Sequence, residues 1–374
     1  MTKTLEAICS YRSEKASASL IRTEDLYIST ESISSNRGGA SRASVPGKGK
    51  VARFRDGDTL VSNIRPYFKK IWQADCDGYC SNDVLVFQPA EDCNPDYLYW
   101  LLCGDDFFEY VMATSKGTKM PRGDKAAIMS YAIPSNSEMT QLQIASIMNP
   151  FRSKIATNAK LNGYLEEFSD VLFQQKFGLL RDNAVLADIA DIAMGQSPAG
   201  SSYNEDGVGA IFYQGRAEFG WRYPTPRLFT TEPKRMAKAG DVLMSVRAPV
   251  GDLNLAYEDC CIGRGLAAIH CNYPSYGLYL MRSLHRKLDA YNGEGTVFGS
   301  INSRALKGLP VALPDDAAIR EFEKETAPID AQIRSNEAES RSLAALRDAL
   351  LPKLMSGDID LLKVNITQLN SHLA

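Results

Sequence analysis

The sequence predicts an α+β protein built twice over: two similar mixed domains joined to two long helices that pair antiparallel as a coiled coil. Three observations predict it. Short motifs recur at a near-constant offset: GDTLVSNIRPYFKKIW (57–72) returns as GDVLMSVRAPVGDLNLA (240–256), and Asp58/Asp241, Ser62/Ser245 and Pro66/Pro249 share an offset of 183 (241 − 58). Each copy then runs into a long charged stretch with almost no glycine, whose apolar residues step by threes and fours. Those stretches align with each other, since Pro150/Pro328, Asn158/Asn336, Leu165/Leu343 and Leu172/Leu350 are all 178 apart (328 − 150).

The elements follow in order. Residues 1–135 form the first domain, with β-branched strand runs such as 83–87 and an amphipathic helix over 96–114. A short apolar strand closed by proline (131–134) ends it. Residues 136–180 form the first long helix, with Ile155, Asn158, Leu165 and Leu172 in its seam. Residues 181–314 repeat the plan, with a strand at 241–246, a helix at 276–291 and a proline-closed strand at 309–314. Residues 315–362 form the second long helix, with Ile333, Asn336, Leu343 and Leu350 in its seam, and 363–374 is a tail. Leu161, Phe168 and Leu346 fit the same spacing. Pro150 and Pro328 are expected to kink or break their helices, or to begin the longer segment after a short turn. The two asparagines either fix register from within the seam or lie at its wet edge. Two helices sharing a seam and joined to similar domains pair most simply antiparallel, with the domains at opposite ends about a pseudo-twofold axis.

With 374 residues, the chain is long enough for two domains, and its 44% hydrophobic and 23% charged content is that of a soluble globular protein. No run is apolar enough to span a bilayer and the N-terminus lacks a signal peptide, so a cytoplasmic location without a membrane partner is expected. Eight cysteines form no CxxC pair. Cys76 and Cys80 come nearest to metal spacing with no second pair, so reduced thiols and no metal are expected. A net charge of −3 excludes a protein that coats DNA through overall charge, yet basic residues cluster between Asn36 and Asp56, from Lys116 to Lys125 and from Arg216 to Lys238. Such clusters suit a polyanion on one face, or ordinary solvated charge. Catalytic signatures are missing. There is no GxxxxGK[ST] loop and no polar-Pro-Pro-aromatic loop, no ExK follows the Asp75/Asp77/Asp83 cluster, and three histidines offer few general bases.

The motifs together resemble the specificity subunit of type I restriction–modification enzymes. The first half does so through 57–72, DGYCSNDVLVFQP (77–89) and GTKMPRGDKAAIMSYAIP (117–134). The second half does so through GQSPAGSSYN (195–204), IFYQGRAEF (211–219), 240–256, CCIGRGLAAI (260–269) and GTVFGSINSRALKGLPVALP (295–314). LEEFSDVLFQQKFG (165–178) and LAALRDALLPKLMSGDID (343–360) look like its spacer helices. The resemblance implies two target-recognition domains, each reading one half of a split DNA site. It also implies helices that set the spacing and dock methyltransferase subunits, and a motor–nuclease subunit that joins them. It implies no catalysis and no cofactor in this chain, with S-adenosylmethionine, ATP and Mg on the partners. A helix from Pro150 to Phe177 is roughly 40 Å long, near the 34–36 Å of one DNA turn, and non-identical domains imply an asymmetric site. The residues expected on double-stranded DNA are Arg42, Arg65, Tyr67, Lys69, Lys70, Lys119 and Arg122 in the first domain. In the second they are Ser197, Tyr213, Gln214, Arg216, Arg247, Arg264, Asn302 and Arg304. Each is otherwise a surface charge, or for Arg65 and Arg247 a structural ion pair. The alternatives are a recognition subunit with a fused cutting–methylating partner, a coiled-coil interaction protein that never touches DNA, and a restriction enzyme with a diverged catalytic domain.

Overall fold

The computed structural model describes residues 3–293, 299–361 and 364. The GTVF of 295–298 and most of the 363–374 tail therefore lie outside the described residues. The chain divides into two compact units, Met1–Lys160 with Glu337–Ala374, and Leu161–Asn336. Four helices organise them: α1 (Pro95–Cys103), α2 (Glu138–Phe177), α3 (Pro274–Ser283) and α4 (Asp316–Ser356). Each unit holds mixed sheets and takes part of both long helices, so the α+β class holds.

α2 and α4 run 40 and 41 residues without a break. Both prolines sit inside them, against the expectation of a short turn and a restart. Each proline removes one N–H from the ladder. Burial offsets that loss: Ile144, Ile147, Met148 and Phe151 around Pro150 are buried, as are Phe322, Thr326 and Ile333 around Pro328. The helix pairing is antiparallel, since Asn162 meets Asn336 while Lys176 meets Glu325 and Glu321. Leu161, Phe168 and Leu346 are exposed, so they lie off the seam.

The first unit has a four-stranded antiparallel sheet. With β1 (Cys9–Tyr11), β2 (Thr59–Ser62), β3 (Ile71–Gln73) and β4 (Val84–Pro89), its order is β1-β4-β2-β3. The second unit repeats it. With β5 (Ala190–Met194), β6 (Val242–Ser245), β7 (Leu253–Leu255) and β8 (Leu266–Cys271), the order is β5-β8-β6-β7. The registers correspond residue by residue: Thr59 faces Gln73 and Phe87, and Val242 faces Leu255 and Ile269. A second sheet in each unit contains one parallel pair, Tyr27–Ile28 with Gly78–Cys80, and Ala210–Tyr213 with Cys260–Ile262.

The repeated Gly-Asp is a turn device. Gly57 and Gly240 hold φ of 80° and 90°, which favours glycine. The buried carboxylates behind them accept backbone N–H groups three residues back, Arg55 N to Asp58 Oδ2 and Lys238 N to Asp241 Oδ2, both 2.8 Å. Side-chain partners differ, Arg12 on Asp58 (2.6 and 2.9 Å) and His270 on Asp241 (2.6 Å).

The cores sit between each main sheet and the helices. In the second unit Phe173, Phe177, Tyr276 and Phe322 pack ring against ring, with centroids 5.2 to 6.5 Å apart. In the first, Phe87, Phe107 and Phe108 share a core with Trp100 of α1 and with Ile144, Leu351 and Leu354 of the long helices. Full burial of one such ring is worth roughly 1.5–3 kcal/mol. The expected helix over 96–114 is two, α1 and Asp105–Ala113, parted at Gly104, whose ψ of 143° is not helical.

Candidate nucleic-acid interface

In the second unit the ends of four strands bring most of the expected residues into one loop cluster. Ser197 Oγ accepts from Arg264 N (3.3 Å), and Gly265 N donates to Gln214 O (3.2 Å). Val246 N donates to Gly265 O (3.0 Å) and Ile301 N to Val246 O (3.1 Å), and Arg247 bridges to Ser300. Ser197, Gln214, Arg247, Arg264 and Asn302 are thus brought together by backbone bonds and by the Ser197 hydroxyl. The close approach leaves no room for side chains at Gly263 and Gly265, where a Cβ would meet Gln214 O at 2.8 Å. Gln214, Arg247, Arg264 and Arg304 are exposed, and no described residue takes the guanidinium of Arg247, Arg264 or Arg304 in an ion pair.

Three of the expected residues have other duties. Tyr213 is 2% exposed and packs with Ile211, Ile262 and Leu266, so its ring belongs to the core. Asn302 caps the helix Ser303–Lys307, its Oδ1 accepting from Ala305 N (3.0 Å). Arg216 is ion-paired with Asp252 beside the frame.

The first unit builds the same platform. Asn63 N donates to Asp83 O (2.8 Å), Arg65 N to Pro121 O (2.9 Å), and Ile64 bridges to Arg122. The second unit has Ala248 N to Gly299 O (3.0 Å) and Arg247 bridged to Ser300. Arg65 is therefore the counterpart of Ala248, and Arg247 that of Ile64. The two arginines share the loop and not the position, and neither is a structural ion pair among the described residues. In both copies the shared serine clasps this loop, Ser62 Oγ to Ile64 O (3.1 Å) and Ser245 Oγ to Arg247 O (2.8 Å).

Arg65, Tyr67, Lys119 and Arg122 are exposed on this platform. Arg65 and Lys69 adopt left-handed φ of 52° and 49° around the turn Pro66–Phe68, which displays Tyr67 and Phe68 outward. Arg122 leans on Asp83 (3.3 Å), and Lys69 is tied to Asp105 (2.7 Å). Lys70 donates to Thr30 O (2.7 Å); burial pushes its ammonium down while Glu31 pulls it up. Register makes Lys70 the counterpart of Asp252 and Glu31 that of Arg216; where the second unit has the Arg216–Asp252 ion pair, the first has the Lys70 bond to the Thr30 carbonyl. Arg42 stands apart: its guanidinium donates to the carbonyls of Thr23, Glu24 and Asp25, closing a turn. Register also picks out Asn82, exposed at the place held by Arg264, which the sequence reading passed over. The signal was present in the 182-residue offset between 78–80 and 260–262. Among the basic residues, Arg37 and Arg222 are buried ion-pair partners.

The seam asparagines are buried. Asn158 Nδ2 donates to Glu339 Oε2 (2.7 Å) and Ser340 Oγ (3.2 Å). Ile333 and Leu343 are buried with them, while Ile155, Leu165, Leu172 and Leu350 are half-buried. Among the described residues no cluster of His, Cys, Asp or Glu is fit to hold a metal, and no helix is long and apolar enough to cross a membrane.

No protein-family model matches the chain. It is 30% identical over 305 residues to the type I restriction enzyme MjaX specificity subunit of Methanocaldococcus jannaschii, covering 74% of this chain and 71% of that protein. It is 30% identical over 139 residues to the HindI specificity subunit of Haemophilus influenzae, covering 36% and 30%. The fold is similar to the crystal structure of a type I restriction–modification S subunit from M. genitalium, with a TM-score of 0.57 at 16% identity over 95% and 96% of the two chains. With a curated relative matched at this identity along most of its length, two units on one plan and a displayed loop cluster on each, the chain belongs to the family of type I restriction enzyme specificity subunits.

Proposed function

We propose that this chain reads DNA sequence for a type I restriction–modification enzyme and carries out no catalysis itself. One observation carries the reading: the two loop clusters stand on the same frame but display different side chains. Arg65, Tyr67, Lys119 and Arg122 face outward in one unit, and Gln214, Arg247, Arg264 and Arg304 in the other. A shared scaffold with divergent tips is what two readers of unlike half-sites need, with arginines for phosphate and guanine edges and Gln or Asn for adenine.

The partners are proposed on the same footing. Leu161, Tyr164, Phe168 and Val171 are exposed along one face of α2, an apolar stripe that supports docking of methyltransferase subunits. S-adenosylmethionine belongs to those subunits, and ATP and Mg to a motor–nuclease subunit. The test is selection from a random duplex pool by the chain with its methyltransferase partner. Two short enriched blocks at a fixed gap support the reading, and one continuous block or no enrichment overturns it.

A further inference from the structure

The two units differ at one place where their frames agree. In the second, the segment 219–224 wraps the free edge of β7. Leu255 N donates to Arg222 O (2.8 Å), while Asn254 exchanges two 3.0 Å bonds with the backbone of Gly220. The Arg222 side chain plunges against the helices. It is 3% exposed, paired with Glu166 (3.3 Å) and Asp330, and lies over the Tyr279 ring at 6.0 Å. Tyr223 follows into the core.

In the first unit β3 is the matching edge strand, with Gln73 in the place of Leu255 and Trp72 in that of Asn254. Ala74 N donates to Asp58 O as Ala256 N does to Asp241 O. The N–H one residue earlier, that of Gln73, therefore faces away from β2, and no described residue accepts from it. Along this edge lies a cleft of about 700 Å³, walled by Trp72, Gln73, Tyr99, Trp100 and Ala156. A base stands where the second unit has an acid. Arg152 stands 178 residues before Asp330, at the same helical position, and covers the Tyr99 ring at 4.7 Å. Arg37 and Arg347 line the same cleft. Arg152 is held by Gln73 and by the half-exposed Asp96 (3.1 Å), a partner that an incoming carboxylate can replace. The exposed Asp56 and Asp75 also line the cleft and disfavour a phosphate backbone.

We propose that this cleft binds an extended segment of another polypeptide. That segment adds to the β3 edge through Gln73 and places an acidic side chain against Arg152 where the second unit places its own Arg222. The inference goes beyond the DNA reading and does not rest on it.

The probe is a fluorescein-labelled peptide of residues 216–227 carrying R222E, titrated into the full chain, with the unsubstituted peptide as comparison. The R222E peptide binds saturably and about 10-fold more tightly than the unsubstituted one, and R152E in the protein reverses that order. Gln73→Pro, tolerated at a sheet edge, removes the donor and weakens binding about 5-fold or more. Should Gln73→Pro fail to fold, the R152E exchange decides alone. Equal binding of both peptides, no binding at millimolar peptide, or displacement of the peptide by duplex DNA overturns the proposal.

Discussion

Asn336 Nδ2 donates to Asn162 Oδ1 at 2.7 Å, and both side chains are buried. The contact is the counterpart of Asn158 to Ser340, because 158 and 336, and 162 and 340, are each 178 apart. One polar pair thus recurs in each unit's share of the helix seam. A buried polar pair penalises any register that separates its members.

The pair is expected to act as a unit. N162L and N336L each strand part of a buried amide, and each costs about 1–3 kcal/mol. The double substitution N162L/N336L costs less than the sum of the single changes, since it removes both polar partners together. Urea unfolding of the four proteins gives the coupling; strict additivity contradicts it.

Arg247 and Arg65 are exposed without ion-pair partners among the described residues. R247A and R65A are each expected to weaken DNA binding and lower the salt slope by about 1. N302A, by contrast, loses a helix cap worth about 1 kcal/mol of stability. Binding isotherms at several salt concentrations separate a phosphate contact from a cap.

Arg222 is structural. R222A leaves the half-buried Asp330 without its arginine and Glu166 with Arg282 alone, and is expected to cost about 3 kcal/mol near neutral pH. Burial already holds the Glu166 carboxyl above its ordinary value, against the pull of Arg282 and Arg222. A carboxyl raised in the folded state binds protons there first, so stability falls as pH rises through that raised value. Loss of Arg222 raises it further and widens the window. The R222A deficit should therefore shrink between about pH 7 and pH 5. Thermal melts at both pH values check this, and a pH-independent deficit contradicts it.

Seven of the eight cysteines are buried and Cys76 is exposed. Burial pushes the Cys103 thiol up to about 11 and those of Cys9 and Cys80 up to about 12. Brief native alkylation should label Cys76 alone, read as one added mass on its peptide. Several labelled thiols would contradict the packing.

The repeat made much of this legible. Matching Gly-Asp, Ser and Pro marked a frame, and period-3.5 patterning marked the helices, because both follow from local geometry. Side-chain assignments fared less evenly. Tyr213 reads like a contact beside Gln214, yet the parallel pairing with Cys260–Ile262 turns its ring inward. Arg65 and Arg247 look like twins in sequence, yet the 183-residue offset of Ser62/Ser245 and Pro66/Pro249 sets Arg65 against Ala248, and the bridges Ile64–Arg122 and Arg247–Ser300 bear out that one-position difference. Pro150 and Pro328 read as helix breaks because the burial that offsets them comes from tertiary packing.

The central claim is that two unlike readers on one chain define one address. Mapping methylated adenines in a host that expresses the chain with its methyltransferase partner tests it most directly. The account predicts modification at one asymmetric sequence split by an unread gap. Modification at a palindrome, or at one short continuous site, would contradict it.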